Sequence, residues 1–407
     1  MSAPRGRGRS AVLLSKRPGR GAEGATPEPA ATGVQAKGER GAGGPALLVA
    51  IVVTLCVVGL VMVLSASSVQ ALRDKGTSWS FFLRQLLWVA VGGTAMVFTA
   101  RVDYRRWRRL GLPLLVLSVG TLVAVMVPGV GIEVGGSTRW LGVGGWRVQP
   151  SELATLAVLL FSADLLSRMQ AQDRVRSAMW GAVGGFGVLA VLVMLQPDMG
   201  TTLILGAVTM AVLFAGAVPL RPMAALAGAS VAGAVLLGIA EPYRRERLLS
   251  FRNPWADADN SGYQVIQSLV GLGTGRVSGV GVGASRAKWG FLPNAHTDFI
   301  FAIIGEELGL VGSLTVLGLF AGLAVLGVRA ALRAPDLFGM LLAAGVTAWI
   351  TTQAVVNIGA VTAVLPVTGV PLPFVSFGGS SLVILLAAVG MLVNVTAQGR
   401  RPSPRRG

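Results

Sequence analysis

The scarcest residues set the first limits. One cysteine, Cys56, and one histidine, His296, occur in 407 residues. A disulfide framework is thereby excluded, and neither a Cys/His zinc cluster nor a Ser-His-Asp set is easily assembled. Charge is also scarce: 13% of residues are charged against 53% hydrophobic, and the mean hydropathy is +0.68. A soluble protein that apolar would expose large adhesive patches, so the composition points to a polytopic membrane protein. Acidic residues are the rarer sign, 18 against 35 Lys and Arg, for a formal net charge of +17. The excess gathers at both ends and in short loops, as expected beside an anionic cytoplasmic leaflet, and does not argue for nucleic acid.

The first 44 residues hold eight basic residues, three acidic ones and no aromatic, in a background of Gly, Ala and Pro. Such a segment cannot bury enough surface to fold, so 1–44 is expected to be a disordered basic tail. Its "AVLL" is too short for a signal-peptide core, which keeps the tail cytoplasmic. Residues 399–407 form a second, short basic tail. Between them lie ten apolar stretches near the ~20-residue length that spans a bilayer: 46–66, 81–100, 110–129, 151–167, 178–196, 200–217, 223–240, 299–327, 337–357 and 379–397. The expected fold is an all-α polytopic membrane protein with about ten transmembrane helices over 45–398.

Arginines orient it. "RVDYRRWRRL" at 101–110 carries five against one aspartate, "SRMQAQDRVRS" at 167–177 carries three, and "VRAALRAPD" carries two. With both termini cytoplasmic, all of these fall inside, satisfying the positive-inside rule. The long segment 241–298 then becomes a large extracytoplasmic loop before the eighth span.

The unusual polar residues collect on that outer face. "GGSTRWLGVGGWRVQPSE" supplies Arg139, Trp140, Trp146, Arg147, Gln149 and Glu152, and "QPDMGTT" supplies Gln196, Asp198 and Thr201. The large loop adds Arg244, Glu246, Arg247, Lys288, His296 and Asp298, and the last outer loop brings Ser376 and Ser380. Plainer roles compete for several of them. Trp140, Trp146, Trp255 and Trp289 suit an interfacial belt equally well. The glycine run "GLGTGRVSGVGVG" lacks the Lys-Ser/Thr ending of a phosphate loop. The Pro and Gly spacing at 366–379 favours broken or re-entrant backbone, which a membrane tolerates only beside protein or a polar cavity. Carboxylates left charged in lipid cost several kcal/mol each, so Glu152, Asp198, Asp298, Glu306 and Glu307 read as the lining of an outward-facing cavity. Glu306 and Glu307 point about 100° apart on a helix, so one of them is expected to be structural.

Taken in order, "QPSEL", "QPDMGT", "GYQVIQSL", "KWGFLPNAHTDFIFAIIGEELGLVG" and "LPVTGVPLPFVSFGGSSL" resemble the SEDS family of cell-wall polymerases, whose members include FtsW, RodA and SpoVE. The likeness spans about residues 45–398, and "MVLSASSVQA" and "GVGGWRVQPSEL" look closer to FtsW than to RodA. The resemblance implies a peptidoglycan glycosyltransferase that polymerises lipid II on the outer face of the plasma membrane during cell division. It also implies a class B penicillin-binding protein transpeptidase and other division proteins as partners. The family's catalytic aspartate, in "HTDF", corresponds to Asp298, which suits a general base for the acceptor sugar hydroxyl. Lys288, Arg139, Arg244 and Arg247 are the candidate cations for the leaving diphosphate, with a divalent cation, Mg2+ or Mn2+, taken up by phosphate and carboxylate oxygens. His296 would orient the loop or touch a phosphate. Trp140, Glu152, Gln196, Asp198, Ser376 and Ser380 are the remaining substrate-side candidates. One position departs from the family pattern: Thr155 stands where a lysine commonly follows the "QPSE" glutamate, leaving Glu152 to pair elsewhere, with Arg84 as one partner, or to be protonated. A lipid II transporter and a division scaffold remain as alternatives, since multiple spans and buried acids suit a transporter too.

Overall fold

A computed structural model describes residues 43–134, 137–143, 146–170, 172–240, 251–260 and 262–399. The expected tails therefore lie almost wholly outside the described residues, as do Arg244 and Arg247. Each of the ten apolar stretches falls on a helix. They are α1 (Gly43–Lys75), α2 (Ser80–Arg101), α3 (Gly111–Met126), α4 (Pro150–Gln170), α5 (Val175–Leu195), α6 (Met199–Ala215) and α7 (Leu220–Ala240). After α8 (Tyr263–Gly275) follow α9 (Ile300–Leu332), α10 (Leu337–Val361) and α11 (Gly379–Gln398). Among the described residues eight helices are long and apolar enough to cross a membrane, and α6 is a shorter apolar one.

α4, α10 and α11 are the most enclosed spans, whereas α2, α3 and α9 present much of their length outward. The outward faces carry bare apolar side chains such as Phe98, Val116 and Val325, which suit contact with lipid rather than water. Between α2 and α11, Thr99 Oγ1 donates to Ala387 O (2.8 Å) and Asn394 Nδ2 donates to Ala100 O (2.7 Å). The arginine-rich loops meet at one end of the bundle. Asp336, the N-cap of α10, accepts from Gly339 N (2.8 Å), Tyr104 Oη (2.7 Å) and Arg105 Nε (2.7 Å), while Asp164 pairs with both Arg108 and Arg168. Such capping ends a helix and gathers neighbouring loops around one carboxylate.

Three features depart from the sequence expectation. The connection after α3 is a small antiparallel sheet, β1 (Gly131–Val134), β2 (Ser137–Val143) and β3 (Trp146–Val148), in the order β1-β2-β3. Its register pairs Ile132 with Trp140 and Leu141 with Val148. The "GG" pairs between β-branched and aromatic residues are the hairpin signal that a purely helical expectation passed over. Next, the large loop contains the helix α8, whose apolar side packs on α9.

The third departure is inside α9. The stretch 299–327 reads as one continuous span, but Gly309 takes φ 68, ψ −162 and breaks the helix. Four backbone groups beside the break find partners in the glycine run. Val280 N donates to Glu306 O (2.9 Å) and Gly281 N to Glu307 O (3.0 Å). In return Leu310 N donates to Arg276 O (2.9 Å) and Val311 N to Val277 O (3.2 Å). This is what the glycines are for: a Cβ at Gly279 would overlap Glu307 O, and Gly279 itself lies at φ +80.

Gly279→Ala is expected to destabilise the protein by on the order of 3 kcal/mol, combining backbone strain with overlap. Gly273→Ala, where an added Cβ meets nothing within 4 Å, serves as the neutral comparison. Thermal unfolding in detergent reads the difference.

Candidate active site

Residues 291–299 are irregular, and Asn294, at φ 55, turns the chain so that Thr297 N and Phe299 N both donate to its carbonyl (3.0 and 3.4 Å). The three carbonyls that follow are each held from outside. Phe377 N donates to His296 O (3.0 Å), Ser376 Oγ to Thr297 O (2.6 Å) and Asn357 Nδ2 to Asp298 O (2.7 Å). Asp298 thus reaches the start of α9 with its main chain tied to α10 and to the segment between α10 and α11.

That segment, 362–378, is the non-helical backbone expected from its Pro and Gly spacing. It is lined with amide side chains that satisfy its peptide groups. Gln353 Nε2 donates to Pro371 O (3.1 Å), Asn357 Nδ2 to Val370 O (2.8 Å) and Gln85 Nε2 to Ser376 O (3.1 Å). Gly378 N donates to Gln85 Oε1 (3.3 Å), and Leu372 N to Ser376 Oγ (2.8 Å). Buried Phe374 sits at φ 64, a conformation that only a heavily tied segment keeps. A Cβ at Gly369 would lie 3.6 Å from Asp298 Oδ2, so the missing side chain leaves room beside the half-buried carboxylate. On the other flank, a Cβ at Gly200 would come 3.0 Å from Thr368 O and would overlap Val370, which brings the start of α6 against the two neighbours of Gly369.

Asp198 caps α6, accepting from Thr201 N (3.0 Å) and Thr201 Oγ1 (2.9 Å), with Gln149 Nε2 at 3.4 Å and Arg139 Nη1 at 3.9 Å. Arg139 also donates to Gln196 O (2.9 Å) and Pro197 O, and Gln196 Nε2 donates to Leu122 O (2.9 Å). Gln149 N donates to Ser380 Oγ (3.0 Å), which joins this cluster to the start of α11. Trp140 lies on the sheet, paired with Ile132.

The profile of the FtsW/RodA/SpoVE family, described as cell cycle protein, matches residues 46–401. The chain belongs to this family. Stage V sporulation protein E of Bacillus subtilis is 42% identical over 357 residues, 87% of this chain and 97% of that protein. A probable peptidoglycan glycosyltransferase FtsW of Geobacter metallireducens is 39% identical, over 85% of this chain and 92% of the relative. Among solved structures, a chain of a peptidoglycan synthase complex superposes with TM-score 0.70 at 28% identity, covering 88% of this chain and 98% of its own. Rod shape determining protein RodA of Thermus thermophilus gives TM-score 0.64 at 26% identity, over 87% and 97%.

In this FtsW/RodA/SpoVE protein several expected cations and acids turn out to be committed elsewhere. Lys288 is no free phosphate ligand: its side chain is 7% exposed, lies 3.8 Å from Glu307 Oε1 and donates to Gly283 O. Glu306 accepts from Ser285 Oγ, Arg286 N (2.9 Å) and Ala287 N (3.3 Å), and Glu307 from Ser65 Oγ (2.6 Å) and Ser285 N (3.3 Å). Both carboxylates, not one, are therefore structural, because loop 283–288 folds over both faces of the α9 N-terminus. Arg139 spends its guanidinium on one turn. Glu152 is buried, and among the described residues no ion pair joins it to Arg84; the nearby charge acting on it is Asp198. Thr155 Oγ1 donates to Ser151 O (3.1 Å) in place of a lysine reaching that glutamate.

His296 is wedged beside Phe81 and Phe377, with ring centroids 4.8 and 5.8 Å away, and burial pushes its pKa down to about 4. A neutral imidazole there packs the loop and supplies no positive charge at neutral pH. No group of three His, Cys, Asp or Glu suited to a metal converges among the described residues. Within the described residues the donor set does not fit a protein-held cation. Gln85, Gln353 and Asn357 were passed over in the sequence, although amides inside apolar spans are the signal that marks such ties.

Two outcomes are expected. Unfolded His296 takes up a proton near pH 6.5 that the folded state refuses until about 4, so its stabilisation is complete above 6.5 and lost as pH falls. His296→Phe should flatten that decline in thermal unfolding between pH 7 and 5. Lys288→Met strands a buried carboxylate and should cost on the order of 3 kcal/mol; Lys288→Met/Glu307→Gln should recover part of it in the same measurement.

Proposed function

We propose that this chain is a peptidoglycan glycosyltransferase that polymerises lipid II into glycan strands on the outer face of the plasma membrane, with Asp298 as general base. The observation that carries the reading is the half-buried Asp298 carboxylate beside the open side of Gly369, on a main chain held at three successive carbonyls. Sugar hydroxyls are poor nucleophiles, and a fixed carboxylate within hydrogen-bond reach accepts the proton as attack proceeds. The 4-hydroxyl oxygen of the acceptor sugar bonds to the anomeric carbon of the donor. The bond from that carbon to the diphosphate breaks, its electron pair leaves with undecaprenyl diphosphate, and the proton passes to Asp298. An α-linked donor gives a β-linked strand by inversion, without a covalent enzyme intermediate.

Arg139 and Lys288 serve the scaffold in this reading, so Arg244 and Arg247 are the proposed cations for the leaving diphosphate. Mg2+ or Mn2+ would be carried on the diphosphate oxygens. Glu152, Gln196 and Asp198, with Trp140, Ser376 and Ser380, form the walls that hold the donor and acceptor sugars. The likeness to a chain of a peptidoglycan synthase complex supports a penicillin-binding protein partner, which we propose to be a class B transpeptidase acting with other division proteins at the septum.

Purified protein with its partner in proteoliposomes, supplied with labelled lipid II, tests this. Asp298→Asn should lower polymer formation at least 100-fold while the protein stays folded. Retained polymerisation would remove Asp298 from the role. Lipid II crossing the bilayer without any polymer from the unaltered protein would instead favour a transporter.

A further inference from the structure

We propose that Asn357 is a positioning residue for Asp298: its amide sets the width of the gap between the catalytic carboxylate and the re-entrant segment. The inference rests on Asp298 being the base. Asn357 is 1% exposed, and its single Nδ2 donates to Asp298 O (2.7 Å) and to Val370 O (2.8 Å). One planar group therefore joins the two chains that face each other across the site. Val370 directly follows Gly369, the residue whose open side lies beside Asp298 Oδ2. The acceptor hydroxyl must enter at that gap, and a change in its width moves the base relative to the oxygen it deprotonates. Among the described residues Asn357 Oδ1 has no hydrogen-bond partner. The amide cannot turn over, because that would set its oxygen against two carbonyl oxygens.

The other amides in this region do less. Gln353, one turn earlier on α10, holds Pro371 O, and Gln85 holds Ser376 O and Gly378 N, but among the described residues their hydrogen bonds reach only the re-entrant segment. Gln353 therefore supplies an internal comparison: the same bond type, from the same helix, to the same segment, without a tie to Asp298.

The full chain with its partner in proteoliposomes is assayed on labelled lipid II for kcat and KM, with thermal unfolding measured alongside. Asn357→Asp, isosteric but without the two donors, should lower kcat by roughly 10- to 100-fold with KM within about threefold of the unaltered protein. Asn357→Ser, which keeps one donor, should fall between, and it carries the comparison if Asn357→Asp does not accumulate. Gln353→Met should lower the unfolding midpoint comparably while kcat stays within about threefold. Kcat unchanged in both Asn357 variants would overturn the proposal. So would equal kcat losses in Asn357 and Gln353 variants that track their unfolding midpoints, since these would mark general support. An active Asp298→Asn removes the base reading itself and is recognised independently of Asn357.

Discussion

A peptide group withdrawn from water must find a partner, and irregular backbone among apolar helices has few at hand. Three irregular stretches meet that demand in three ways. The break at Gly309 borrows N–H and C=O groups from residues 276–281. The segment 362–378 draws on the amides of Gln85, Gln353 and Asn357. The 291–299 segment takes its partners from Asn357, Ser376 and Phe377, so the candidate catalytic aspartate is held by groups that also satisfy its neighbours.

The carboxylates that look alike in sequence divide by what donates to them. Glu306 and Glu307 face inward onto loop 283–288 and act as anchors. Asp198 ends a helix, and Asp336 does the same at the far end of α10. Asp298 closes a run of three carbonyls, those of His296, Thr297 and its own, each held from outside, and it lies beside a glycine that leaves its carboxylate room. Chemistry is assigned by that difference in surroundings, and residue type alone does not reveal it.

Much of the helical framework was legible, because twenty apolar residues in a row have few other uses and the arginine loops mark one end. The Asp298 motif was legible through its resemblance. What stayed hidden was long-range. Lys288 and Arg139 looked like phosphate ligands because a positive charge in a loop carries no sign of its partner; Glu307 is 19 positions from Lys288 and Asp198 is 59 from Arg139. The break in α9 was masked by hydropathy, which scores Gly309 as one more tolerable residue and is blind to φ. The sheet after α3 was masked by its brevity.

The joint between the glycine run and α9 has an evolutionary consequence. Gly275, Gly279 and Gly309 each press backbone against backbone in the same few ångströms, so none has slack that another could absorb. A lineage cannot drift through this region one residue at a time. Substitution at any of the three reopens the hydrogen bonding of the other segment, and only a concerted replacement of the whole splice offers a neutral route.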